Sequence, residues 1–381
     1  MKLAAKNAKC AKKAWPMVRL GDVCIVQRGV RVTRKDLDDN GKYNVYQNSL
    51  KPLGKYNSFN CEARSPFMIM ALAAGEPGFS EEPFWAADDC TYFKDLKGLD
   101  NQYLYFLLSV NKDELKRKVK QTTIPRLSNK FLESLEFPLP PLSVQREIVA
   151  RLEKELGEAD ALAAKFKEIA ENADAEFKAE LDETFKNVEG EKVRLGDVCE
   201  IERGRSKTRP RNSPELFGGP YPFVQTGDVK KANGGTIISY TQTYSEKGLR
   251  QSRLWKKGTL CVTIAANIGE AALLGFDACF PDSVVGITSK GTLSLDFLNY
   301  YFYATKSKLF EVAPGTAQKN FNVERLSHVE IVMPKMEQQH EAITKLHMVK
   351  AKCEKLKAAA ERGLRAAEDL RKAILAEAFE Q

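Results

Sequence analysis

The sequence predicts an α+β chain: two globular α+β domains in tandem pseudo-repeat, held apart by two long antiparallel coiled-coil helices. Three observations carry this. VRLGDVCIVQRG at residues 18–29 recurs as VRLGDVCEIERG at residues 193–204, identical at nine of twelve positions. A step of 194 residues carries Thr122, Leu132, Pro140, Gln145, Glu147 and Leu152 onto Thr316, Leu326, Pro334, Gln339, Glu341 and Leu346. After each module comes a long stretch whose apolar residues step by three and four. Self-similarity of this kind marks a repeated supersecondary unit, and two copies are too few for a solenoid. The expected division is residues 1–140, first module; 141–188, central helix; 189–334, second module; 335–381, C-terminal helix. The offset grows from 175 at the opening block to 194 at the closing block, so the second interior is longer by 19 residues.

Within the modules, SPFMIMALAA (65–74), YPFVQT (221–226), GTLCVTIAA (258–266) and VVGIT (284–288) read as strands from their β-branched and aromatic content. NQYLYFLLSVNKDELKRKVK (101–120) and DFLNYYFYATKSKLFEVA (296–313) read as helices from their apolar spacing. Glycine and proline clusters such as Gly218-Gly219-Pro220 and Gly234-Gly235 mark loops.

The long stretches are heptad seams. The first runs through Leu156, Ala159, Ala163, Phe166, Ala170, Ala173 and Phe177. The second runs through Val349, Cys353, Leu356, Ala360, Gly363, Ala367, Leu370 and Ile374. Prolines precede both, Pro140-Pro141 and Pro334, and Ser143 suits an N-cap for the first. Each is about 44 residues, roughly 65 Å as a helix. Equal length suggests that they pair with each other, and the small seam residues on one can receive large ones from the other. Antiparallel pairing would place the modules at opposite ends of a rod, related by an approximate two-fold axis. A two-fold protein with unlike modules suits a bipartite, asymmetric DNA site with a gap.

At 381 residues, with each module long enough to bury a core, the chain reads as globular. No segment approaches the 18 apolar residues of a membrane span. The Lys-rich stretch 1–15 lacks the apolar region of a secretory signal, so a cytoplasmic location with no membrane partner is expected. Eight cysteines are scattered singly with no CxxC pair; Cys24 and Cys199, at one repeat position, read as small buried thiols rather than metal ligands.

The net charge is +8, from 59 Lys+Arg against 51 Asp+Glu, and its placement suggests a polyanionic partner. RGRSKTRPRNS sets Arg203, Arg205, Lys207, Arg209 and Arg211 on a proline-punctuated loop, with Lys230 and Lys231 beyond it. The first module has Arg28, Arg31, Arg34, Lys35 and Arg126. Basic groups interleaved with Gln, Asn, Ser and Thr suit phosphate and base-edge contacts together. A solvated basic face without a partner is the plain alternative.

The chain resembles a known family at these residues: the two LGD blocks, YPFVQTGDV (221–229), IAANIGEAALLGFDACFPDSVVGI (264–287), GTAQKNFN (315–322), and the LPPLSVQREIV and MPKMEQQHEAI starts of the long helices. It is similar to the DNA specificity subunits of type I restriction–modification systems. In the first module the match is looser, with TTIPRLS standing where GTAQKNFN stands in the second. The resemblance implies two target-recognition domains, each reading half of a split site in double-stranded DNA. It further implies helices that bind DNA methyltransferase (modification) subunits using S-adenosylmethionine, and a restriction/translocase subunit using ATP and Mg. No cofactor is expected in this chain. The candidate DNA contacts are Arg28, Arg31, Gln47, Asn48, Thr123 and Arg126 in the first module. In the second they are Arg203, Arg205, Lys207, Arg209, Thr226, Lys230, Gln318, Lys319 and Asn320.

No catalytic residue is assigned. There is no GxxxxGK[ST] loop, no GxGxxG and no Asn-Pro-Pro-Tyr-like tetrapeptide. Only three histidines exist, and His340 and His347 lie one heptad apart on a helix. Pro281-Asp282 lacks the further carboxylate and lysine of a nuclease site, and a solvated surface role is expected for its carboxylate. Two other readings stay open: the specificity subunit of a fused type II restriction–modification enzyme, and a coiled-coil scaffold with basic modules.

Overall fold

The computed structural model describes residues 15–119, 125–186, 188–207, 210–265, 267–310 and 322–379, with the backbone alone at 307–310. The chain divides into two compact units, Met1–Lys167 with Glu361–Gln381, and Glu168–Ala360. Each unit contains one module and a part of each long helix.

In the first unit the module is closed by its own ends. Strand Met17–Arg19 pairs antiparallel with Glu136–Pro138, and the turn of helix Leu20–Val23 is tied down by a 2.9 Å bond from Leu20 N to Leu135 O. Inside lies a four-stranded sheet in the order Ile25–Arg28, Cys90–Lys94, Ser65–Ile69, Glu76–Ser80. A three-stranded sheet joins Gly54–Tyr56, Tyr43–Tyr46 and Phe84–Ala86. Successive side chains of a strand point to opposite faces. Phe67 and Ile69 accordingly enter a cluster with Phe84 and Cys90, while Met68 enters one with Leu104 and Leu108 of helix Asn101–Val110. Both faces are covered, which is why SPFMI is apolar without alternation.

Two expected elements are shorter than the sequence suggests. The strand ends at Ile69 rather than Ala74, because Leu72 and Gly75 take φ of 61° and 85° and Gly75 N returns to Ile69 O. The helix from Asn101 breaks at Asn111, whose Nδ2 donates to Leu107 O at 2.8 Å; Lys112–Arg117 follows as a separate helix.

The second unit repeats the closure. Strand Glu191–Arg194 pairs with Glu330–Met333, and Leu195 N donates to Val329 O at 2.9 Å. The main sheet has the order Cys199–Arg203, Val284–Ser289, Leu260–Thr263, Ala271–Leu274, Thr236–Ile237, with the last pair parallel. Its apolar face is covered by helix Leu295–Phe310, through Phe297, Leu298, Tyr301 and Phe302. A separate hairpin joins Phe217–Phe223 to Gln242–Tyr244. The strand expected over 221–226 stops at Phe223, because Gln225 caps helix Thr226–Lys231 in a reciprocal box with Asp228. The remainder of the expected helix, 311–313, lies outside the described residues.

The long helices span Leu142–Lys186 and Met336–Phe379. Ser143 lies inside the first turn rather than capping it. The anchor there is Gln145, fully buried, which accepts from Asp100 N and donates to Gly98 O and Pro140 O at 2.7–2.8 Å. Gln339 does the same in the second unit, accepting from Ser294 N and donating to Thr292 O and Pro334 O. A buried amide with its groups satisfied is stabilising only in that arrangement.

Every position of the expected first seam, from Leu156 to Phe177, is buried or half-buried. The second seam needs correction: Leu356 and Leu370 are 37% and 45% exposed. The other six positions, Val349, Cys353, Ala360, Gly363, Ala367 and Ile374, are buried or half-buried, and so are Lys357, Leu364 and Arg371 beside them. Lys357 and Arg371 reach across the pair to Asp174 and Asp160. In the first unit Gly363 receives the ring of Phe166; a Cβ built there would lie 2.4 Å from it. In the second, Lys357–Asp174, Lys352–Glu176 and Lys345–Glu180 pair at 2.6–2.7 Å. One set of numbers rises as the other falls, so the helices run antiparallel. Such exposed pairs are worth about 0–1 kcal/mol each, and their role is register more than stability.

Cys24 and Cys199 are buried, as expected. Burial, with Glu133 adding, pushes the Cys24 thiol to about 12. Burial, offset in part by Lys290, pushes Cys199 to about 11. Among the described residues no helix is long and apolar enough to cross a membrane.

Candidate nucleic-acid interface

In the first module three of the candidate residues meet on one short segment. Arg28, at the end of its strand, donates from Nε to Asp88 O at 2.8 Å. Gln47 Nε2 donates to Asp88 Oδ1 at 3.1 Å. Arg126 Nη1 lies 3.0 Å from Asp89 Oδ1. Three different stretches of chain therefore converge on Asp88-Asp89. Arg28 and Arg126 are exposed, while Gln47 and its neighbour Asn48 are half-buried. Arg31 is exposed beyond a main-chain tie from Val30 N to Ala86 O, which Trp85 reinforces by donating from Nε1 to Val30 O at 2.9 Å. Thr123 lies outside the described residues.

The second module uses the same anchor. Arg203 Nε donates to Asp282 O, and Arg211 Nη2 reaches Asp282 Oδ2 at 2.6 Å. The 175-residue step takes Arg28 to Arg203, and the 194-residue step takes Asp88 to Asp282. Asp282 is thus not merely solvated surface, as its sequence context suggested. Gly29 and Gly204 follow these arginines, and a Cβ at either would lie 2.1–2.3 Å from a backbone oxygen, Ala87 O or Pro281 O. That close approach is what brings each arginine to its carbonyl.

Around this anchor Val224 N donates to Cys279 O at 2.8 Å, which sets Gln225 and Thr226 beside the segment that Arg203 and Arg211 grip. Gln225 Nε2 donates to Gln242 Oε1 at 2.7 Å. Arg205 and Lys207 are exposed on the following loop, whose backbone is held by Ser252 Oγ donating to Arg205 O. Lys230 goes elsewhere, donating to Asn267 Oδ1 at 3.4 Å in the loop between strands Leu260–Thr263 and Ala271–Leu274. Arg209, Gln318, Lys319 and Asn320 lie outside the described residues.

Sequence reasoning picked the basic partners and missed what holds them. Asp88 and Asp282 carried a signal, since the 194-residue step superposes them. Gln225, Gln242 and Asn267 were missed because no charge or repeat marks them. Arg253, stacked 4.0 Å above the Trp255 ring and paired with Glu202, shows that not every basic side chain in the module faces a ligand.

Comparison with known proteins gives a consistent picture. The model of the type I restriction modification DNA specificity domain matches twice, at residues 12–169 and 187–362. A putative type I restriction enzyme specificity subunit of Haemophilus influenzae is 27% identical over 286 residues, covering 68% of this chain and 67% of that protein. A putative type I restriction enzyme specificity subunit of Methanocaldococcus jannaschii is 24% identical, and the alignment spans 63% of this chain and 59% of that protein. Two solved structures share the fold. A chain from a study of complex assembly and conformational transition of the type I R-M system has TM-score 0.72 at 18% identity, covering 96% of this chain and 97% of that one. The HsdS subunit of Thermoanaerobacter tengcongensis has TM-score 0.58 at 18% identity, covering 96% of each.

Proposed function

Because the chain belongs to the type I restriction modification DNA specificity family, we propose that it reads a bipartite, asymmetric site in double-stranded DNA, one half with each module. It directs DNA methyltransferase subunits to that site and serves a restriction/translocase subunit in the same complex. It takes no part in bond making itself: S-adenosylmethionine, ATP and Mg belong to the partners. Its place of action is the cytoplasm.

The observation that carries this reading is the repeated anchor. An arginine held by its Nε on a main-chain carbonyl is oriented without its charge being cancelled. Arg28 and Arg203 share that posture in the two modules. Guanidiniums so fixed suit guanine O6/N7 or phosphate, and the amides of Gln47 and Asn48 suit adenine. The remaining candidates, Arg31, Thr123, Arg126, Arg205, Lys207, Arg209, Thr226, Lys230, Gln318, Lys319 and Asn320, are proposed to divide between phosphate and base contacts. A gel shift with the chain and its modification subunits on duplex DNA tests the proposal. Selective retention of duplexes carrying one split sequence is expected. Equal retention of all duplexes would leave a basic scaffold as the better account.

A further inference from the structure

We propose that Leu72 is an apolar wedge that packs into the base stack of the half-site read by the first module, an inference that rests on the DNA reading above. Leu72 is 58% exposed and has φ of 61°. A leucine avoids that left-handed conformation because its Cβ crowds the following carbonyl. An exposed leucine alone would need no explanation, but exposure and strain at the same residue do.

The loop is built to keep it there. Ala71, fully buried, bridges to Arg126. Leu72 N donates to Pro125 O at 3.2 Å, and Gly75 N closes the turn on Ile69 O at 2.9 Å. Strain that the surroundings over-determine collects where a ligand is met. The tip also stands at the right place. Met70 N donates to Asp89 O at 2.8 Å, and Leu127 N donates to Met70 O at 2.9 Å, so the loop is stitched to the segment on which Arg28, Gln47 and Arg126 converge. An apolar side chain flanked by arginines matches duplex DNA, whose base steps open to leucine-sized wedges while phosphates take the cations. In the corresponding loop of the second module the described residue with a left-handed backbone is Asn267, at φ 55°, which is polar and not an apolar wedge. The device therefore serves one half of the site.

The test uses the chain assembled with its modification subunits and a duplex carrying the motif found by methylome sequencing, with 2-aminopurine walked through each half. Apart from any target adenine that the methyltransferase turns out of the helix, one step in one half should brighten with the unaltered complex. Leu72→Asn suits the left-handed backbone but removes the apolar group; it should abolish the brightening and weaken binding about tenfold, the size of one lost base contact. Leu72→Met should keep both, and an unchanged or raised Tm for the Asn variant separates the result from misfolding. If Leu72→Asn brightens the same step and binds equally, or if no such step brightens with the unaltered complex, the wedge is wrong while the DNA reading stands. An unaltered complex with no sequence preference would overturn both.

Discussion

In the first module Leu20 N bonds Leu135 O, Gly29 N bonds Cys90 O, Met70 N bonds Asp89 O and Gly75 N bonds Ile69 O. In the second, Leu195 bonds Val329, Gly204 bonds Val284, Ile264 bonds Ser283 and Gly269 bonds Thr263 through the same atoms. Glu76 pairs with Lys112 in one and Glu270 with Lys306 in the other, each at 2.6 Å. The difference in length is confined. Residues 30–64 answer to residues 205–258, and all 19 additional residues of the second module fall there. The first fills that stretch with the strands Tyr43–Tyr46 and Gly54–Tyr56, the second with a hairpin and the helices Thr226–Lys231 and Glu246–Arg250. A fold that repeats these hydrogen bonds while varying one insert separates a shared frame, which carries Arg28 and Arg203, from a variable part. The insert is where specificity should change without loss of folding.

Exchanging residues 205–258 for the matching segment of a relative should therefore replace one half of the methylated motif and leave the other, the largest effect expected. A change in both halves, in a complex that still assembles, would break the comparison. Next in size is the frame itself. Gln145→Ala and Gln339→Ala each strand buried backbone groups, and each should lower stability by about 2–4 kcal/mol, from the desolvation of groups left unpaired. Thermal unfolding should show similar losses for the two; a large loss for one alone would mean that the frames are not equivalent.

At the readers, Arg28→Ala and Arg203→Ala should each cost roughly 1–3 kcal/mol of affinity for a base contact, and each should relax a different half. If both variants weakened all duplexes alike, these arginines would be phosphate contacts. The smallest effect concerns pH. Burial alone would raise the Glu76 carboxyl, but Lys112 and Lys116 more than offset it, and its pKa lies below the usual 4.5. A depressed folded-state pKa contributes stability above the unfolded value, lost as pH falls through the folded one. Tm of the unaltered chain should thus drop below about pH 4.5 more steeply than that of Glu76→Gln; parallel curves would show that the pair does not matter.

Much of the frame was legible in the sequence because it is stated twice: the LGD turns, the Gln145/Gln339 pair and the first helix seam all follow from repetition and period. The exposure of Leu356 and Leu370 was not legible because what crosses the pair beside them is ionic, Lys357 to Asp174 and Arg371 to Asp160, and a count of apolar residues does not register it. The break at Asn111 was missed because a single side-chain bond to Leu107 O decides it. In the site, charge pointed to Arg28 and Arg203, but the aspartate segments that orient them, and the strain at Leu72, follow from contacts between distant stretches that no local pattern encodes.

Two unlike modules on one frame should read two unlike half-sites. The decisive measurement is methylome sequencing of a strain expressing the chain with its modification subunits. One adenine-methylated motif split into two different halves around a gap of unspecified bases is predicted. A contiguous motif, or a split motif with two identical halves, would contradict it.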